Sequence, residues 1–329
     1  MAGSEVHFFD SCIQLCLGLC LEDLSFDSNT SKDLKRTKFD CIYFCLPRLS
    51  CSLPRKIALR SDSISVVIPS YNSAKSLQSA IESVAQQTLA PLEVIVVDDA
   101  SIDATVDSVR ALQSSYHPGW LKLIQLDRNV GAASARNFGW DASGGTHIAF
   151  LDSDDLWHPR KLEIQWSQFQ DQPELALSGH SFRFPWESDD EMESGAVAAP
   201  ISRSQILWRN PFVTPSVMLR KNLPFRFKSG KRHMEDHLLW MEIVLSGYTA
   251  SRINLRLATI NKAQFGASGL SSQLWAMQTG ELDNYLQLRR QKYIGTPTAA
   301  FFLGFSLVKF ARRLFIVAWR KAKAFIQGG

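Results

Sequence analysis

Cysteine is missing from everything beyond position 51. All six cysteines of the 329-residue chain fall at 12, 16, 20, 41, 45 and 51. A disulfide framework is not expected, because the N-terminus has no secretory leader: Glu5 and Asp10 precede the apolar run from Cys12 to Leu21, where positive charge would belong. Cys12, Cys16 and Cys20 would share one helical face. No flanking histidine or recognisable zinc spacing accompanies them, so a metal site there is disfavoured.

Two phosphate-binding signatures are also absent. No GxGxxG follows the first hydrophobic strand or occurs elsewhere, which argues against a nicotinamide dehydrogenase, and no GxxxxGK[ST] occurs, which disfavours a P-loop nucleotidase. Acidic residues stop at Asp283, whereas nine basic ones follow, from Arg289 to Lys323. The formal charge of +4 therefore conceals a basic tail suited to anionic partners. Its aromatics are mixed with Leu, Val and Ile in apolar blocks, a composition that fits anionic lipid better than nucleic acid.

What is present concentrates between Ser63 and Trp157. Runs rich in Val, Ile and Leu at 65–68, 93–97, 121–126 and 147–151 read as strands buried on both faces. Leu77, Ile81 and Val84 mark a helix within 73–87, and Val106, Val109 and Leu112 mark another within 101–113. That alternation predicts right-handed crossovers and an α/β parallel sheet. Ligands of such sheets sit beyond the carboxyl ends of the strands, where this chain carries Tyr71, Asp98, Asp99, Asp152 and Asp154.

Pro69 ends strand pairing and turns the chain over the sheet edge. Of the adjacent Asp98 and Asp99, one is free for a ligand if Asp99 or Ser101 caps the next helix. Gly131 permits a tight turn, and Ala132, Ala133 and Ala135 let the following helix pack close to the sheet. Arg136 in that helix is either a surface salt-bridge partner or a clamp for phosphate or base. Asp152, Asp154 and Asp155 would repel one another severely without a cation or solvent. Their hard oxygens suit manganese or magnesium rather than zinc. His233 and His237 stand four apart, but HExxH needs Glu where Met234 stands. Between 194 and 234 eight basic residues, Lys231 and Arg232 among them, occur with no acidic one. Surface solubility accounts for that, and so does a phosphate-bearing acceptor.

PSYN at 69–72, VVDDAS at 96–101, NVGAASARN at 129–137, FLDSDD at 150–155 and MEDHLLW at 234–240 together resemble the family 2 glycosyltransferases of the GT-A fold, over about residues 63–245. The resemblance implies a Rossmann-like mixed, mainly parallel sheet flanked by helices, and a nucleoside diphosphate sugar donor, UDP-linked. It puts Pro69 and Tyr71 at the nucleotide, with Tyr71 holding the base. Asp99 accepts a hydrogen bond from the base, Asp98 takes a supporting or ribose-side role, and Arg136 becomes a clamp. Asn129 and Asn137 are structural hydrogen-bonders. Asp152 and Asp154, with Ser153 between them, form the DxD pair, Asp154 being the direct ligand of Mn2+ or Mg2+. Asp155 is left to cap a helix near His158. Asp236 becomes the base, ionised at an ordinary pKa of about 4, with Glu235 in support. One base opposite the leaving diphosphate implies inversion at the anomeric centre.

QxxRW, typical of processive polysaccharide synthases, does not follow Asp236, so one sugar per encounter is expected. The strand-like NPFVTPSVMLR resembles the border of an acceptor site, and the Gly- and Ser-rich 262–272 segment reads as a loop able to fold over the donor. Near the C-terminus the apolar block before Lys309 is shorter than the ~20 residues that a bilayer crossing needs. A helix or helical pair lying on an anionic leaflet is expected, with docking on the protein's own core as the competing reading. The resulting division is an extension of unknown role at 1–60, a GT-A transferase domain at 61–250, the rest of an acceptor or lid region at 251–295, and basic amphipathic helices at 296–329. The expected activity is sugar transfer to a saccharide or lipid-linked saccharide in cell-envelope glycan assembly, at the cytoplasmic face of the membrane. The alternatives are an inactive nucleotide-sugar-binding scaffold or sensor and a sugar nucleotidyltransferase. The last would need a GxGxR-like loop where PSYN stands.

Overall fold

The structure, a computed structural model, describes residues 63–187, 195–261 and 274–327. The expectations for 1–60, for most of the acidic loop at 187–193 and for the loop at 262–272 lie outside the described residues.

β1 (Ile64–Ser70), α1 (Leu77–Ala85), β2 (Glu93–Asp98), α2 (Thr105–Gln113), β3 (Leu121–Gln125), α3 (Ala132–Ala142) and β4 (His147–Phe150) alternate as the hydrophobic pattern predicts. After β5 (Leu156–Trp157) come α4 (Lys161–Asp171), β6 (Leu175–Arg183), β7 (Ala198–Pro200) and α5 (Arg203–Trp208). A 3-10 turn at Thr214–Ser216 leads to β8 (Met218–Arg220), α6 (Glu235–Leu245), β9 (Thr249–Thr259), α7 (Leu274–Arg290) and α8 (Thr296–Gln327). The strands form one sheet in the order β3-β2-β1-β4-β8-β6-β9-β5, with β7 also paired to β9.

β1 to β4 are mutually parallel. β8 runs antiparallel to both β4 and β6, and β5 and β7 run antiparallel to β9. The sheet is thus mixed, because β8 returns through the 3-10 turn rather than by a helical crossover. Every residue of β1, β2 and β4 is buried. β3 departs from the expectation of burial on both faces: as the terminal strand it leaves Lys122 and Gln125 exposed. Strand alternation divides the core in two. Val66 and Ile68 face the α1 and α4 layer, while Val67 faces α3 and α6.

α3 approaches the sheet closely. A Cβ on Gly139 would fall 2.4 Å from Cγ1 of Val67, so only hydrogen fits there. Next to it Trp140 is fully buried and donates its indole N–H to the Lys221 carbonyl at 2.9 Å. Its ring meets Phe150 and Phe227, and Phe227 meets Trp240 of α6. This aromatic chain fixes α6 against α3.

At the C-terminus one face follows the competing reading of docking on the protein. Residues 296–327 form one helix, and Ala299, Phe302, Ser306 and Phe310 make a buried stripe against α7 and Trp208. Gln278 donates to Ser306 at 2.9 Å, and Lys309 pairs with Glu281. One face therefore docks on the protein itself. Phe301, Val308 and Phe315 recur every seven residues on another face and are exposed. No helix among the described residues is long and apolar enough to cross a membrane.

Gly139→Ala should destabilise the chain by about 1–3 kcal/mol through overpacking. In urea unfolding, combining it with Val67→Ala should cost less than the sum of the two single changes, because the clash is shared.

Candidate active site

The turns after β1 and β2 are stitched together. The Asn72 backbone N–H donates to Ser101 Oγ at 2.9 Å, and Ile102 N–H donates back to Asn72 Oδ1 at 2.9 Å. Asp98 accepts from Ser101 N–H at 3.1 Å and so closes the β2 turn. Asp99 is buried, yet borders the cavity. Its two oxygens accept the backbone N–H groups of Val130 at 2.7 Å and Gly131 at 2.8 Å. Asp99 is therefore the post that positions the loop entering α3, where Gly131 has a φ of 87°. Asn129 donates to the Asp99 carbonyl, and Asn137 exchanges hydrogen bonds with the Phe227 backbone.

Arg136 is an ion-pair partner, but a buried one rather than a surface one. Its side chain is 6% exposed, and its fork reaches Asp152 Oδ1 at 2.7 Å and Glu235 Oε1 at 3.2 Å. It joins the end of β4 to the start of α6, two segments 83 positions apart. Burial opposes its charge, but the carboxylates of Asp152 and Glu235 outweigh that, so it remains a guanidinium.

A cavity of about 580 Å³ opens beyond the strand ends. Pro69, Tyr71 and Asp99 form one side, and Arg136, Asp152, Ser153 and Asp154 form another. Lys231, Arg232 and Glu235 complete the wall. Two predicted residues stand back from it: Asp98, turned to its own loop, and Asp236, one position beyond Glu235. Ser153 shares a 2.8 Å hydrogen bond with Ser73 Oγ. Asp155 does not cap α4, whose first turn has no side-chain cap; it accepts the Asn261 N–H at 3.0 Å instead.

The first turn of α6 carries Glu235 and Asp236 in succession. Asp236 accepts from His237 N–H at 2.7 Å and from the Asn210 amide at 3.2 Å. Its pKa is not the ordinary one expected from sequence. Burial pushes it up, against the stabilising His237 N–H and Arg136 charge. Burial and then the Asp236 charge push Glu235 up too, against Arg136. His237 is buried, donates Nε2–H to the Ile206 carbonyl at 2.9 Å, and is pushed down to about 4, chiefly by burial. It is a neutral core residue.

Several supports were not legible in sequence. Met234 adopts the left-handed conformation, with φ 58°, to swing α6 into place, and Asn284 of α7 donates to its carbonyl at 2.9 Å. Asn210 and Asn284 belong to no motif, and only the fold brings them here. Lys231 and Arg232 were visible as part of a basic stretch but not as cavity wall.

Asp152 and Asp154 offer carboxylate oxygens on the cavity surface. No group of three or more His, Cys, Asp or Glu able to hold an ion occurs among the described residues. That donor set fits a magnesium- or manganese-type ion, which takes one or two carboxylates and completes its shell with substrate phosphate and water.

Replacing Arg136 by Ala should cost about 3–5 kcal/mol in urea unfolding at neutral pH, since Glu235 and Asp152 lose their partner. Arg136→Lys, lacking the fork, should recover only part of the loss.

Comparison with known proteins adds the family. The description Glycosyl transferase family 2 matches residues 65–233, just over half of the chain. The UDP-Glc:alpha-D-GlcNAc-diphosphoundecaprenol beta-1,3-glucosyltransferase WfgD of Escherichia coli is 28% identical over 216 residues, covering 61% of this chain and 81% of that protein. Among solved structures, S. aureus TarS in complex with UDP-GlcNAc superposes with a TM-score of 0.59 at 20% identity, over 74% of this chain and 71% of that one. The mannosyltransferase PcManGT from Pyrobaculum calidifontis, in complex with GDP-Man and Mn2+, gives 0.54 at 18% identity over 78% and 79%. The five motifs thus lie on a GT-A fold, and the chain belongs to glycosyl transferase family 2 and is a glycosyltransferase.

Proposed function

We propose that the chain transfers a sugar from a UDP-sugar to a saccharide or lipid-linked saccharide, with inversion, in cell-envelope glycan assembly. The observation that carries this reading is the meeting of Asp99, the Asp152 and Asp154 pair and the Arg136–Glu235 bridge on one cavity. The names of WfgD and of the TarS complex support a UDP-linked donor. WfgD's name also supports a lipid-linked acceptor.

Pro69 and Tyr71 receive the nucleotide. Each Asp99 oxygen already accepts one backbone N–H and retains a second lone pair for the base. Asp98 supports from behind by holding the β2 turn. Asp154, with Asp152, holds Mn2+ or Mg2+, which when bound neutralises charge on the leaving diphosphate. Ser153 spaces the two carboxylates and anchors them to the β1 turn through Ser73.

Asp236 takes the proton of the acceptor hydroxyl while that oxygen attacks the anomeric carbon. The bond from this carbon to the diphosphate oxygen breaks on the opposite face, and its electron pair leaves with the nucleoside diphosphate. The elevated pKa makes Asp236 a stronger base than a solvated carboxylate. Glu235, held by Arg136, keeps that turn of α6 in register with the donor.

The apolar face of α8, with Phe301, Val308, Phe315 and the exposed Arg312, rests peripherally on the anionic cytoplasmic leaflet. Co-sedimentation with phosphatidylglycerol vesicles should be lost in a Val308→Glu, Phe315→Glu double variant that retains transferase activity. Equal sedimentation would refute this contact.

Calorimetric titration of UDP with and without manganese tests the donor site. Binding should require the metal and be lost in Asp154→Ala, while Asp236→Asn should bind UDP normally and lose about 10²–10⁴-fold in turnover. Full transfer by Asp236→Asn would remove it as the base. The base acts ionised, so activity is present above its folded pKa and falls as pH drops through it. With that pKa raised, the acid limb of kcat/KM should lie above the ordinary value of about 4.

A further inference from the structure

A second groove, of about 290 Å³, leads from the cavity wall over residues 231–233 onto α7. Ala276, Thr279 and Gly280 of α7 form its floor. A Cβ on Gly280 would sit 2.9 Å from the His233 carbonyl oxygen, so glycine lets the 231–233 segment lie directly on the helix. Lys231 and Arg232 border both the groove and the donor cavity, which are therefore neighbours.

The cations along this path are not equivalent. Lys231 is already committed: its side chain is 9% exposed and pairs with Asp283 at 2.6 Å. Arg136 is held between Asp152 and Glu235. Arg232 is exposed and has no ion-pair partner among the described residues, at the point where cavity and groove meet. His233 adds a ring beside it. Trp275, next to Ala276 in sequence, is 68% exposed, and its ring lies 4.7 Å from that of Phe310 of α8. The cavity and groove thus place Glu235 of α6, a guanidinium with no ion-pair partner among the described residues, and the α7 floor side by side, with exposed apolar surface at Trp275 nearby. A ligand matching that order has a sugar, then an anion, then a hydrocarbon chain.

We propose that this groove receives the phosphate of a lipid-linked acceptor, with Arg232 as its anion contact. The acceptor sugar then extends toward Glu235 and Asp236, and the lipid leaves past Trp275. This rests on the transferase reading of the neighbouring cavity. The donor's own diphosphate is the other source of the same chemistry, and the test separates the two.

Farnesyl diphosphate is titrated calorimetrically into the full chain, with and without saturating UDP and manganese. It should bind beside UDP rather than in its place. Arg232→Glu should weaken it about tenfold or more, and the control on UDP affinity, a change of less than about twofold, is read in the Ala276 variant, because Ala276 borders only the groove. Ala276→Trp, which fills the groove without altering charge, should weaken it likewise. Competition between farnesyl diphosphate and UDP, or indifference to Arg232→Glu, would overturn the assignment. Equal affinity for inorganic diphosphate would overturn the lipid-linked part. Failure of UDP to bind the wild-type chain is a separate result that refutes the donor cavity.

Discussion

One guanidinium holds the two halves of the site in register. The end of β4 and the first turn of α6 each present a carboxylate to the same space, and two such charges in a poorly hydrated position would drive the segments apart. Arg136, delivered by a helix of small residues that can lie close on the sheet, sits between them. Burial of that bridge makes geometry strict, because either carboxylate left alone would be an uncompensated charge. The aromatic chain from Trp140 through Phe227 to Trp240 holds the same helices together by packing. Electrostatic and apolar restraints thus agree on one placement of α6.

Asp99 plays the corresponding part on the side of the cavity formed by the β1 and β2 turns. Its carboxylate organises the loop entering α3 and borders the cavity at once. A residue with both duties cannot drift, since moving it would free two backbone N–H groups. α7 closes the arrangement from behind, through Asn284 on the Met234 carbonyl and Lys231 on Asp283. As α8 packs on α7, any surface that α8 rests upon is linked by contiguous contacts to the loop presenting Glu235 and Asp236.

The strands, their order of alternation with helices and the cluster of acids at the strand ends were legible because period-2 and period-3.6 apolar patterns are local. The family followed from five short motifs, each a turn chemistry joined to a strand or helix start. Other readings failed where partners are distant in sequence. The surface ion pair offered for Arg136 is instead a buried bridge. Asp155 looked like a helix cap, and it binds Asn261 across the sheet. β3 looked fully buried, and its place at the sheet edge leaves it half covered. The ordinary pKa assigned to Asp236 failed for the same reason, since desolvation is a property of the surroundings and not of the residue.

By itself the sequence determined which elements form and which chemical groups stand at their ends, because those depend on neighbours within a few positions. Only the tertiary structure decided which groups meet. It put Glu235 rather than Asp236 on the cavity wall, turned Asp98 away, and brought Asn210 and Asn284 to the start of α6. It also placed Arg232, without an ion-pair partner among the described residues, on the border of both cavities. Long-range packing fixes distances and water exclusion, and these set how strongly charges act on one another.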